Sequence, residues 1–232
     1  MTHATARAAA LSATWPPGAL TLGRHSRHSR NTAMTDSLFT HIVRRALALG
    51  LLLAAMGASA ARIEGQSFED RVRLADTDLV LNGVGLRAVA WFKGYAAGLY
   101  IARKAATAED VLAQKGPKRV QMRMMVDVET KEFTKAFDVG MKRNNTEAEQ
   151  ATMKDRMAQF DRTVELLGKV KKGDVVNLDF VPGQGLILSV NGTPRGTPIP
   201  GEDLYAGLLK IFIGDNPVDK KLRAGLLGAA PA

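Results

Sequence analysis

Strand-type segments occupy both ends of the stretch after Ala60, and two amphipathic helices fill its middle. That arrangement predicts a single α+β domain over residues 61–232. At the near end, Phe68–Leu74, Asp78–Asn82, Leu86–Phe92 and Tyr95–Ile101 read as strands. The last has apolar residues on both alternations, which predicts burial on both faces. Gly94 and Gly98 inside it predict a bend or the close approach of another group. Thr107–Ala113 reads as a short helix with Thr107 as its N-cap, and Arg119–Val126 as a strand. In the middle, Phe133, Ala136, Phe137, Gly140 and Met141 form one helical stripe. A second helix opens on the capping box Thr146-x-x-Glu149 and carries Met153, Met157, Phe160, Val164 and Leu167. Both stripes predict core rather than a cofactor site. At the far end, strands Val175–Phe180 and Gly185–Val190 lead to Asn191-Gly192, a strong hairpin signal. Short helices at Asp203–Phe212 and Asp219–Leu226 close the chain.

The first 60 residues differ in kind. Arg44 and Arg45 precede the apolar run Ala46–Gly57, which ends in Ala58-Ser-Ala60. A positive segment, a short apolar run and a small-x-small site predict a signal peptide over 34–60, cleaved near Ala60. The run is shorter than the ~20 apolar residues of a membrane span. Residues 1–33 read as an over-extended start or a disordered extension. The expected location is therefore the periplasm. Of the 32 basic and 23 acidic residues, the leader holds six arginines and one aspartate, which leaves +4 instead of +9 after cleavage. With both signs interspersed, a nucleic-acid partner is not expected.

All four histidines, His3, His25, His28 and His41, also lie in the leader, and the chain has no cysteine. After Ala60 the sequence therefore excludes His-dependent nucleophilic catalysis, disulfides and the usual zinc ligand sets. No cofactor and no metal site are expected. A domain of about 170 residues without disulfides must be held by its core, and at that size roughly 70% of the unfolded surface is buried.

Arg87 is the sharpest candidate for function, a cation inside the apolar run Leu86–Phe92. On strand periodicity it would share a face with Val89 and Trp91. A buried guanidinium needs a partner. Two readings stand: a structural ion pair with Asp76, Asp78 or Asp127, or an anion or oxyanion site in a cleft. Tyr95 follows closely and could donate to the same oxygen. Tyr100 reads instead as a rim residue with its hydroxyl in water, as Tyr205 can. Gly83-x-Gly85 lacks the third glycine and the following helix of a dinucleotide fingerprint. Pro182-Gly-Gln-Gly185 reads as a turn.

Gly83-Val-Gly-Leu-Arg87, Phe92–Tyr100, Gly116–Val120, Lys172-Gly-Asp174, Pro182–Gly185, Ile199-Pro-Gly201, Ile213–Pro217 and Leu222–Gly228 together resemble the chalcone isomerase-like family in its bacterial exported branch. The resemblance implies an open-faced β-sandwich, a large antiparallel sheet with a helical layer and a ligand cleft between. In the enzymes of that family an Arg stabilises the enolate of a cyclising chalcone, aided by Tyr, Asn and Thr side chains. Arg87 matches the Arg. Tyr95 stands at the first Thr position, Phe133 and Gly140 at the Tyr and Asn positions, and Ile211 at the late Thr. Losing one oxyanion donor costs ~10²–10³ in rate, so efficient cyclisation is not expected. The resemblance also implies relatives that bind fatty acids, in which the Arg holds the carboxylate. The expectation is a non-catalytic binder of a small apolar anion such as a fatty acid, with Arg87, Tyr95, Phe133 and Ile211 at the ligand. Two alternatives stand beside it: an isomerase or intramolecular lyase acting on an enone with Arg87 as its catalytic residue, and an envelope interaction protein with a vestigial cleft. Nothing in the pattern specifies an oligomeric state.

Overall fold

A computed structural model of the 232-residue chain describes residues 60–89 and 92–229. The leader expectations for 1–33 and 34–60 fall, apart from Ala60, outside the described residues. Seven antiparallel strands form the main sheet, in the order β11-β10-β9-β6-β5-β4-β3. They are β3 (Arg71–Leu74), β4 (Thr77–Val89), β5 (Phe92–Ile101), β6 (Lys118–Met124), β9 (Val175–Val181), β10 (Gly185–Val190) and β11 (Thr193–Ile199). Two short ribbons accompany it, β1 (Ala60–Ile63) with β2 (Gln66–Glu69), and β7 (Val128–Glu129) with β8 (Lys169–Val170). Among the described residues five helices complete the fold: α1 (Ala108–Ala113), α2 (Thr130–Asn144), α3 (Glu147–Glu165), α4 (Glu202–Ile213) and α5 (Lys220–Leu226). The architecture is the expected α+β one, a curled antiparallel sheet carrying a helical layer.

Local chemistry sets the element ends. Thr107 Oγ1 accepts from the Asp110 amide at 3.1 Å, and Thr146 with Glu149 closes a full capping box. Asn191 and Gly192 both take positive φ, 53° and 78°, the backbone that a two-residue hairpin between β10 and β11 requires. Strand β11 contains two prolines and a glycine and is exposed along most of its length, which blunts the open edge of the sheet. The stretch Phe68–Leu74 does not form one strand. It breaks at Asp70, whose carbonyl accepts from the Leu81 amide at 2.8 Å, and β2 departs to pair with β1.

The two alternations of β5 serve two cores. Ala97, Leu99 and Ile101 point to the helices, beside Val120, Met122, Leu178, Met141, Phe160 and Leu208. Ala96 and Tyr100 point the other way and join Phe68, Leu79, Leu81 and Val84 in a smaller core beneath the β1–β2 ribbon. A Cβ on Gly98 would lie 2.8 Å from the Phe68 ring, so the expected close approach is that of Phe68. Tyr100 is accordingly not a rim residue. It is fully buried, its hydroxyl has no partner among the described residues, and burial pushes its pKa up to about 12. Tyr205 also departs from that expectation, being buried with its hydroxyl donating to the Leu178 carbonyl at 3.1 Å.

At one end the helical layer lies directly on the sheet. Added Cβ atoms at Gly83 and Gly85 would overlap the backbone of Gly225 and Leu222, so only glycine lets α5 rest on β4. Asn82 fastens the junction, with Nδ2 donating to the Leu226 carbonyl at 2.7 Å and to the Ala105 carbonyl at 2.9 Å. The Gly83-x-Gly85 element is thus a packing device.

Candidate functional site

Elsewhere the layer stands off the sheet. Between α2, α3 and α4 on one side and β5, β6 and β9 on the other lies a cavity of about 280 Å³. Its walls are mostly hydrocarbon, among them Met122, Met124, Phe137, Phe160, Leu188 and Phe212, with Arg87 and Glu132 as the charged lining residues. The two helical stripes therefore do more than fill core. Phe137, Phe160 and Val164 belong to the core and also line the cavity, as do the partly buried Phe133 and Leu167. Among the described residues no cluster of His, Cys, Asp and Glu could hold a metal ion.

The cavity has one cationic wall, at Arg87. The antiparallel register of β4 and β5 sets Arg87 opposite Tyr95, and a bulge follows immediately, between Arg87 and Ala88. Both side chains line the cavity. The bulge interrupts the alternation on which Arg87 would share a face with Val89 and Trp91. Trp91 and the Val89 side chain lie outside the described residues.

Arg87 has a carboxylate neighbour, but not one of those expected. Its Nη1 lies 3.5 Å from Asp219 Oδ2 and donates to the Ala88 carbonyl at 3.2 Å. Asp76 and Asp78 instead meet Arg73 on the surface, and Asp127 meets Lys169. The other carboxylate oxygen of Asp219 is already engaged, accepting from the amides of Lys221 and Leu222 as the N-cap of α5. Asp219 was missed because its 132-residue separation from Arg87 leaves no local signal. Among the described residues, Nε and Nη2 of Arg87 form no hydrogen bond. The fork is tethered at one nitrogen and open at the others.

Tyr95 is partly buried, packed against the helix-side core, and faces the cavity. Burial raises its phenol well above the ordinary value; Arg87 opposes that rise and Asp219 adds to it. The phenol thus stays protonated and serves as a hydrogen-bond donor. Guanidinium and phenol together offer two donors to one anionic oxygen pair, in surroundings that strengthen both.

Phe133 and Ile211 also line the cavity, so the structure brings together all four residues singled out in the sequence. Gly140 lies against Ile211, where a Cβ would come within 2.7 Å of Cγ2. Two positions for which the resemblance implies polar helpers are here a hydrocarbon contact between α2 and α4. The chemistry available is anion binding with an apolar body attached. Sequence reasoning did not find the sheet-side walls from β6, β9 and β10, which carry no mark beyond being apolar.

The match to known proteins agrees with this architecture. The crystal structure of an Arabidopsis thaliana fatty-acid binding protein superimposes with a TM-score of 0.58 at 17% sequence identity, covering 73% of this chain and 96% of that one. At that identity the likeness speaks for the fold. No curated protein sequence matches the chain. The family model for chalcone isomerase-like proteins matches residues 60–228, the whole of the sheet and its helical layer. The chain belongs to the chalcone isomerase-like family.

Proposed function

We propose that this protein is a non-catalytic binder of a small apolar anion, of which a fatty acid is the simplest example. The observation that carries the reading is the hydrocarbon cavity with Arg87 and Tyr95 at one wall. A carboxylate there would take the free nitrogens of the Arg87 fork and the Tyr95 hydroxyl, while its chain displaces water from apolar walls. Phe133 and Ile211 contact the chain instead of a polar substrate. A structural neighbour that binds fatty acids supports the same direction. The apolar run before Ala60 supports a place of action in the periplasm, after removal of residues 1–60.

Calorimetric titration of the domain with saturated fatty acids of increasing length tests the reading. Each added methylene should tighten binding about fourfold, the equivalent of ~0.8 kcal/mol, until the cavity is full. Absence of binding across the series would refute it. A chalcone cyclisation assay should give a rate no higher than that of Arg87→Ala.

A further inference from the structure

A second cavity, also of about 280 Å³, adjoins the first on the outer side of α2. The two share Arg87, Glu132, Ala136, Ile211 and Val218, so Arg87 stands at the boundary between them. Their characters differ. Apart from the shared Arg87 and Glu132 the inner chamber is walled mostly by hydrocarbon, whereas the outer one adds Lys135, Arg143 and Asn216. Three cations thus surround the outer chamber, against Glu132 as its one acidic wall residue. Neither Lys135 nor Arg143 forms an ion pair among the described residues, and both side chains are exposed. The rim opposite is held in place, because Asn144 Nδ2 donates to the Asn216 carbonyl at 2.9 Å and the Asn216 amide donates to Asn144 Oδ1 at 3.1 Å. Asn216 Nδ2 in turn donates to the Arg143 carbonyl at 3.1 Å.

A carboxylate head is satisfied by Arg87 and Tyr95 alone and gives no reason for two further cations. A phosphate monoester carries about −1.5 to −2 charges near pH 7 and three acceptor oxygens, a closer match in charge and acceptor number to a chamber with three cations. Building on the apolar-anion reading above, we propose that the ligand is an amphiphile with a phosphate-monoester head. Its tail fills the inner chamber, Arg87 grips the neck, and Lys135 and Arg143 hold the head in the outer chamber. Gly140 contributes by letting α2 close onto Ile211, which lines both chambers at the neck.

The test compares three probes by titration calorimetry at pH 7.5: dodecyl phosphate, dodecanoate and inorganic phosphate. Wild type should bind dodecyl phosphate at least about tenfold more tightly than dodecanoate, given the stronger multidentate charge-assisted bonds. Inorganic phosphate, lacking the tail, should bind at least about 100-fold more weakly than dodecyl phosphate. Lys135→Ala/Arg143→Ala, with folding checked by circular dichroism, should lose the preference for the phosphate head. Equal affinity for the two amphiphiles in wild type, or a preference that survives the double substitution, would overturn the head-group assignment and leave the apolar-anion reading standing. Inorganic phosphate binding as tightly as the amphiphile would overturn it in favour of a free anion. Failure of both amphiphiles to bind would refute the underlying reading and this inference with it.

Discussion

Two of the Arg–Asp pairs among the described residues, Arg119–Asp179 and Arg87–Asp219, share a chemistry and differ in geometry. On the sheet face away from the helices, Arg119 and Asp179 meet across β6 and β9 through two parallel bonds of 2.6 Å each. Beside them, Gln121 donates to Asn177 at 3.0 Å and Asn177 to Ser189 at 3.3 Å, so polar side chains satisfy one another along the strands. On the helix face, Arg87 reaches Asp219 through one nitrogen at 3.5 Å, with the mostly apolar chamber beside it. The first pair is closed on itself. The second is underused, because its carboxylate also caps a helix. The contrast sets a closed pair, Arg119–Asp179, against a loosely paired Arg87, which is the feature the proposed anion-binding role rests on.

The largest expected effect breaks the closed pair. Arg119→Ala should cost about 3–5 kcal/mol of stability in urea unfolding, because it strands a buried carboxylate. Arg87→Ala should cost about 1 kcal/mol or less, since its ion pair with Asp219 is long and partly solvated. Reversed magnitudes would destroy the distinction. Asp219→Ala comes next, at about 1 kcal/mol for the lost cap of α5, and Asp219→Asn should recover most of it by keeping an acceptor.

An effect of similar size, confined to one range of pH, concerns Asp161 on α3, away from both pairs. Its Oδ1 is buried without a partner among the described residues, and burial first, then the charges of Asp138 and Glu165, raises its pKa from 3.8 to about 6. A carboxyl raised in the folded state favours folding while protonated. Its stabilising share is complete below about pH 4 and is lost as pH rises through about 6. Asp161→Asn should flatten that part of the stability–pH curve, by on the order of 1 kcal/mol after solvent screening. A curve unchanged by the substitution would remove Asp161 as its source.

The sequence made much of the fold legible because the signals were local. Capping at Thr107 and Thr146, the Asn191-Gly192 turn and the double-sided run at Tyr95–Ile101 each announce their own geometry. Arg87 stood out as a charge in an apolar run. The rest depended on contacts remote in sequence. Nothing near Tyr100 indicates that Phe68 will fold across Gly98 and bury it, and nothing near Arg87 names Asp219. Helical periodicity marks which face of α2 and α3 is apolar, but not whether that face meets the sheet or stands off it. The standoff creates the cavity, and it is a property of the assembled layer.

The most direct test of Arg87 as an anion anchor is the dodecanoate affinity of wild type against Arg87→Ala, measured by titration calorimetry alongside each protein's urea midpoint. The affinity should fall at least about tenfold, the loss of ~1.4 kcal/mol or more from a charge-assisted bond, while the midpoint barely moves. An affinity unchanged by the substitution, in a protein that still binds the fatty acid, would contradict the anion-anchoring role of Arg87.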